Sequence, residues 1–132
     1  MTELPGYVGV DIVPDAIEVA TKRHPGRRYM VADICKDELP IVEAIICRDA
    51  MQHMSLADGL AAVSNFRRTG AAWLFASTHR DTVNENVSTG GYYQINLEAE
   101  PFCFGEPYLA IPDGAWDGQN RYPHKLLGIW PL

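Results

Sequence analysis

Short apolar runs and one-sided apolar stripes alternate along the chain. "YVGVD" at residues 7–11, with β-branched Val8 and Val10, predicts a strand that ends in an aspartate. "PDAIEVATKR" at 14–23 puts Ala16, Ile17 and Ala20 on one face and predicts a helix. Pro14 suits its first turn, where a backbone N–H would have no partner. "HPG" at 24–26 stops that helix. "RRYMVAD" predicts a second strand ending at Asp33. "EAIICRD", with the apolar run Ala44–Cys47, predicts a third that leads into Asp49. Ser55-Leu56-Ala57-Asp58 reads as a capping box, with Ser55 at the N-cap and Asp58 reaching back. Leu56, Leu60, Val63 and Phe66 then recur near helical spacing until Gly70, and "AAWLFAST" predicts a fourth strand.

From His79 to Pro107 the periodicity stops. This stretch is polar, carries "STGGYY", and ends in the aromatic knot "PFCFGEP". Long irregular segments inside compact domains are often lids or binding loops. "PYLAI" and "HKLLGIW" predict two further strands, joined by the turn-rich "PDGAWDGQNRYP" and paired antiparallel. The order β-α-β-β-α-β followed by this pair predicts an α/β fold with a mainly parallel sheet and helices on its faces.

A chain of 132 residues suits one domain with a real core. The composition, 47% hydrophobic and 21% charged, is that of a globular protein. A net charge of −6 argues against general binding of nucleic acid, whose phosphates need a surplus of cations. Arg27-Arg28 and Arg67-Arg68 are too short to reverse it, and read as solvated surface. Cys35, Cys47 and Cys103 are odd in number and lack metal-ligand spacing, so reduced thiols and a cytoplasmic location are expected. No apolar run approaches the roughly 18 residues of a membrane span, and no signal peptide is visible.

Asp11, Asp33 and Asp49 each close a predicted strand. In open α/β sheets ligands bind beyond the carboxyl ends of the strands. A carboxylate there accepts hydrogen bonds from ribose hydroxyls or an exocyclic amine. Any one of them also fits a turn cap, but three in order point to a ligand crevice. "YVGVDIVPDAIEVA", "RRYMVADI", "EAIICRDAMQHMS" and "AAWLFAST", together with the tail "KLLGIWPL", resemble the class I S-adenosylmethionine-dependent methyltransferases. The resemblance implies a Rossmann-like fold and the cofactor S-adenosylmethionine. It implies that Asp11 holds the ribose hydroxyls and Ile12 packs on the adenine. Asp33 would meet the adenine amine, and Ile34 would line the base. Cys47, Arg48, Asp49 and Met51 would border the methionine end. His53 stands where the family often has a histidine, and a buried or capping role is expected for it ahead of a pocket-lining one. The catalytic residue stays open, with His79 and His53 as candidates, and Tyr92, Tyr93 and Asn96 are candidates for the acceptor site. Phe102 and Phe104 are expected to pin the loop.

The resemblance starts at the family's second strand. The first strand and its glycine-rich loop would precede residue 7, where only Pro5-Gly6 and an in-strand Gly9 stand. The chain therefore looks like the last two-thirds of such a domain, truncated at its N-terminus. An empty central strand position would leave unpaired backbone groups at about 1–3 kcal/mol each, against a total stability of about 5–15 kcal/mol. Three ways of closing it are expected: direct pairing of the 7–11 and 43–47 strands, a homodimer, or a partner chain that supplies the strand. The function expected is methyl transfer to a small-molecule or unknown acceptor, with activity of the chain alone doubtful. The alternative is a non-catalytic dimerisation or partner-binding domain. A receiver-like fold lacks its lysine after "AAWLFASTH". No serine sits in a G-x-S-x-G elbow, and the four histidines are too scattered for zinc.

Overall fold

The computed structural model describes residues 5–113 and 122–132. Along the chain run β1 (Val8–Asp11), α1 (Pro14–Arg23), β2 (Arg28–Val31), β3 (Ala44–Cys47), α2 (Leu56–Arg68), β4 (Trp73–His79), β5 (Leu109–Pro112) and β6 (Lys125–Pro131). The expected elements are all present, with the strands trimmed at their ends. A 3₁₀ turn at Met51–His53 lies between β3 and α2. No regular element interrupts residues 80–108. The link "PDGAWDGQNRYP" falls largely outside the described residues.

The strands form two sheets rather than one mainly parallel sheet. β1 and β2 pair parallel by themselves, and the other four run in the order β3-β4-β6-β5. In that mixed sheet β3 and β4 are parallel, while β4–β6 and β5–β6 are antiparallel, as expected for the C-terminal pair. Direct pairing of β1 with β3 is not found: among the described residues β1 pairs with β2 alone. The chain leaving β2 is fixed to α2 instead. Asn65 Nδ2 donates to the carbonyls of Ile34 at 2.8 Å and Asp37 at 2.9 Å. Ile34, Cys35 and Leu39 pack against the core.

α1 starts at Pro14, has Asp15 in its first turn and Lys22 and Arg23 in its last, so its charges oppose the helix dipole. It packs on β1 and β2, yet none of its residues is buried. α2 is capped by Ser55 Oγ, which accepts the Asp58 N–H at 3.1 Å. The Asp58 carboxylate does not reach back, as a capping box would require. It accepts from the Thr89 hydroxyl, and Thr89 Oγ1 in turn takes the Ser55 N–H at 3.0 Å. The long loop thus completes the cap. Gly70, at φ 76°, turns the chain out of α2.

The core lies on one face of the four-stranded sheet. Leu74 and Ala76 of β4 and Trp130 of β6 meet Ala62, Val63 and Phe66 of α2. Tyr93, Ile95, Leu97 and Phe102 of the irregular segment complete it. Trp130 lies across Gly128, where a Cβ would collide with its ring, and its Nε1 donates to the Gly105 carbonyl at 3.0 Å. Each such side chain contributes about 1.5–3 kcal/mol by leaving water.

Candidate functional site

The carboxyl ends of β1 and β2 carry the first group of expected residues. Asp11 closes β1 and is exposed. Its Oδ1 accepts the Val13 N–H at 2.8 Å, which folds the chain into α1. The next residue, Ile12, is 61% exposed. Asp33 lies two residues beyond β2. Its carboxylate accepts the Cys35 N–H at 2.9 Å and stands 3.2 Å from Lys36 Nζ. The Cys35 N–H and Lys36 hold it below the usual carboxylate range. Ile34 turns toward the core rather than outward. Burial, with Asp33 beside it, pushes the Cys35 thiol up to about 11.

A second group forms around the ends of β3 and β4. Cys47 is buried in the core, and burial drives its thiol up to about 12. Met51 is likewise core. Arg48 and Asp49 instead enter a four-membered ion cluster. Arg48 makes a bidentate pair with Asp113, with Nη2 2.8 Å from Oδ1 and Nε 3.1 Å from Oδ2. Lys125 Nζ lies 2.6 Å from Asp49 Oδ1 and 3.2 Å from Asp113 Oδ2. Burial works against ionisation of both aspartates, but the cations outweigh it and both are held low. Asp49 sits at φ 56°, a strained conformation for a residue with a side chain. Its N–H donates to Ser77 Oγ at 2.9 Å, and Gln52 Nε2 donates to its Oδ1 at 2.8 Å. Asp113 and Lys125 were not among the expected residues. Only the strand register, which puts His79 opposite Lys125, brings them here.

His79 ends β4 beside this cluster and is 1% exposed. Neither ring nitrogen has a hydrogen-bond partner among the described residues. Burial lowers its pKa below the ordinary imidazole value, nearby Lys125 adds to this, and the Ile95 carbonyl only partly offsets it. The ring is therefore neutral at pH 7. Tyr122 stands edge-on to it at 5.8 Å, Tyr92 lies 6.3 Å from Tyr122, and His53 lies 5.5 Å from Tyr92. His53 is exposed, with Nδ1 2.9 Å from the Gly91 carbonyl, so it is neither buried nor a helix cap. Burial and Tyr122 push the Tyr92 hydroxyl up to about 12.

The remaining candidates serve the loop. Asn96 Nδ2 donates to the Thr82 carbonyl at 3.0 Å, and its Oδ1 accepts the Glu98 N–H at 3.0 Å. Tyr93 is core, with its hydroxyl unpartnered among the described residues and pushed up to about 12 by burial. Phe102 packs against Gly59 of α2, and Phe104 lies 5.7 Å from Trp130, so both pin the loop as expected. Among the described residues no group of three His, Cys, Asp or Glu side chains is placed to hold a metal ion. No described helix is long and apolar enough to cross a membrane.

These features define an α/β protein with polar residues gathered at the carboxyl ends of its parallel strands. No family model and no curated protein matches the chain. Its structure is similar to the crystal structure of Thermoplasma acidophilum 1320, with a TM-score of 0.55 and 17% identity. The match covers 94% of this chain and 64% of that one, so the chain spans less than two thirds of that protein's length. At this identity the likeness is one of fold.

Proposed function

We propose that this is a Rossmann-like, S-adenosylmethionine-dependent methyltransferase-type protein, cytoplasmic, which binds the cofactor's adenosine half at the end of β1. One observation carries the reading. Asp11 engages one carboxylate oxygen in its own turn, and the 61% exposed Ile12 stands directly after it. An open carboxylate beside an unpaid apolar surface suits a ribose with an adenine next to it. Those two residues fit the cofactor. Asp33 fits less freely, because its own turn and Lys36 already occupy its carboxylate. Arg48 and Asp49 would border the methionine end, while Cys47 and Ile34 would act from the core side.

When bound, S-adenosylmethionine supplies an electrophilic methyl group, and transfer needs mainly alignment. On this chain the acceptor side would be His79, Tyr92 and Tyr122. A neutral His79 can take the proton of an acceptor O–H or N–H. At 1% exposure it meets an acceptor only when the Tyr122 ring shifts.

The test is calorimetric titration with S-adenosylhomocysteine. Binding is expected, weakened about tenfold to a hundredfold by Asp11→Ala, the worth of hydrogen bonds to a charged group. Absence of binding at millimolar ligand, or indifference to Asp11→Ala, rejects the reading. A second reading, a non-catalytic partner-binding domain, is favoured by the edges of β1 and β3, each paired on one side only among the described residues. A strand from a second copy or another chain would satisfy them.

A further inference from the structure

We infer that the outward face of the four-stranded sheet is the surface through which two copies of this chain associate. The register defines that face. Ile46 of β3, Phe75 of β4, Ile129 of β6 and Leu109 of β5 are successive cross-strand partners. Partners directly opposite share one side of a sheet, so this row is apolar across all four strands. On one side of it lies the row Ser77, Leu127 and Ile111, and on the other Ala44, Trp73 and Pro131. None of these residues carries a charge.

The helices lie elsewhere. α2 covers the opposite face, where Leu74, Ala76 and Trp130 point, and α1 packs on β1 and β2. The open positions of this face are Ile46 at 65% exposure, Leu109 at 51%, Ile111 at 46% and Trp73 at 37%, whereas Ile129 at 9% and Ser77 at 2% lie buried between them. Tyr108, 79% exposed, extends it with its ring 5.5 Å from that of Trp73. A sheet face meant for water would alternate in polar residues at these positions.

Size and charge together select a second copy. Taking about 150–250 Å² for a large side chain, the exposed parts of these residues reach roughly 400–700 Å². That is the upper end for a monomer's largest apolar patch, about 300–600 Å². With the half-buried Phe75 and Leu127 it matches the lower end of specific interfaces, about 600 Å² from each partner. The net charge of −6 sets copies of the chain to repel one another over most of their surface. At this face the repulsion is small, because the charges at its edge cancel in the pairs Arg48–Asp113 and Lys125–Asp49. Two such faces stack about 10 Å apart with nearly aligned strands, and a two-fold axis between them makes the contact self-complementary.

The inference is independent of any cofactor. Its test is the mass in solution, by light scattering and sedimentation from about 1 to about 100 μM, at and above the weakest Kd of standard interfaces, which is about micromolar. Wild type is compared with Ile46→Glu and Leu109→Glu. Both side chains are exposed in the single chain, so the fold should survive, and circular dichroism checks that it does. A wild-type dimer is expected, with each variant weakening association about a hundredfold or more by placing an unpaired carboxylate in the contact. A wild type that stays monomeric across the range overturns the inference. So does a dimer untouched by both variants, which would move the contact to the open strand edges.

Discussion

His79 is the residue whose chemistry most depends on its surroundings. It faces Lys125 from β6, Asp49 after β3, Asp113 after β5 and the ring of Tyr122, and burial keeps it neutral. Its pKa in the folded chain is depressed, while in the unfolded chain it titrates near about 6.5. Above that value both states are neutral and no stability is lost. Below it the unfolded chain takes up a proton that the folded chain refuses, so stability falls as pH falls, by up to about 1.4 kcal/mol per pH unit. Asp49 and Asp113, held low, act in a separate window. Their stabilisation is present above about 3.9 and is lost as the pH drops further. Urea melts between pH 7 and pH 5 should therefore show a decline in wild type that His79→Phe removes. An equal decline in both proteins would assign it to another group. The sequence offered His79 only as a histidine just past a strand. It offered Asp49 as a strand-ending carboxylate, with no sign that Lys125 and Asp113, both more than 60 residues further on, would neutralise it. Local pattern marks a position, whereas partners come from register.

Pattern did determine the elements well. α1 begins and ends where Pro14 and His24-Pro25 require, and β4 and β6 emerge from their apolar runs. What pattern could not supply is what each element leans on. The cap of α2 needed Thr89, which belongs to the loop after β4. In β6, Gly128 looks like a weak point in an apolar strand, yet the indole of Trp130 fills the space above it. That ring is held by its bond to the Gly105 carbonyl and by Phe104, so it has nowhere to move. Gly128→Ala should destabilise the fold by about 1–3 kcal/mol, the usual cost of overpacking. Chemical denaturation measures it, and near-ultraviolet circular dichroism of the tryptophans reports whether the ring has shifted. A neutral or stabilising alanine would mean that Trp130 is not fixed. The irregular stretch 80–108 was legible as a loop, and its share in the core was passed over, although Tyr93, Ile95 and Leu97 alternate with Gln94, Asn96 and Glu98 at a period of two.

The fold class was legible in the order of strands and helices, and the division into two sheets was not. Periodicity says which residues form strands and is silent on which strands meet. The division sets up an uneven molecule. β4 and β6 pair on both sides and share the buried core, whereas β1, α1 and β2 hold together mostly among themselves. α1 buries none of its residues, and the unit is tied to the rest through Ile34, Cys35, Leu39 and the two bonds of Asn65. Opening free energy follows buried apolar contact. Amides of Val8–Asp11 and Arg28–Val31 should thus exchange about a hundredfold or more faster than those of Leu74–Ser77 and Leu127–Trp130. Hydrogen exchange read by mass spectrometry tests this directly. Equal protection would make the chain one cooperative unit and would call for a stronger tie than Ile34, Cys35, Leu39 and Asn65 provide. The same experiment bears on the proposed cofactor. A ligand that seats on Asp11 and Ile12 binds only the closed unit, so a hundred times its Kd should stabilise that unit by about 2.7 kcal/mol. That corresponds to about a hundredfold slower exchange, confined to β1, α1 and β2 while β4 and β6 stay unchanged. Slowing that appears instead in β4 and β6 would place the ligand at the ion cluster around Asp49 and His79.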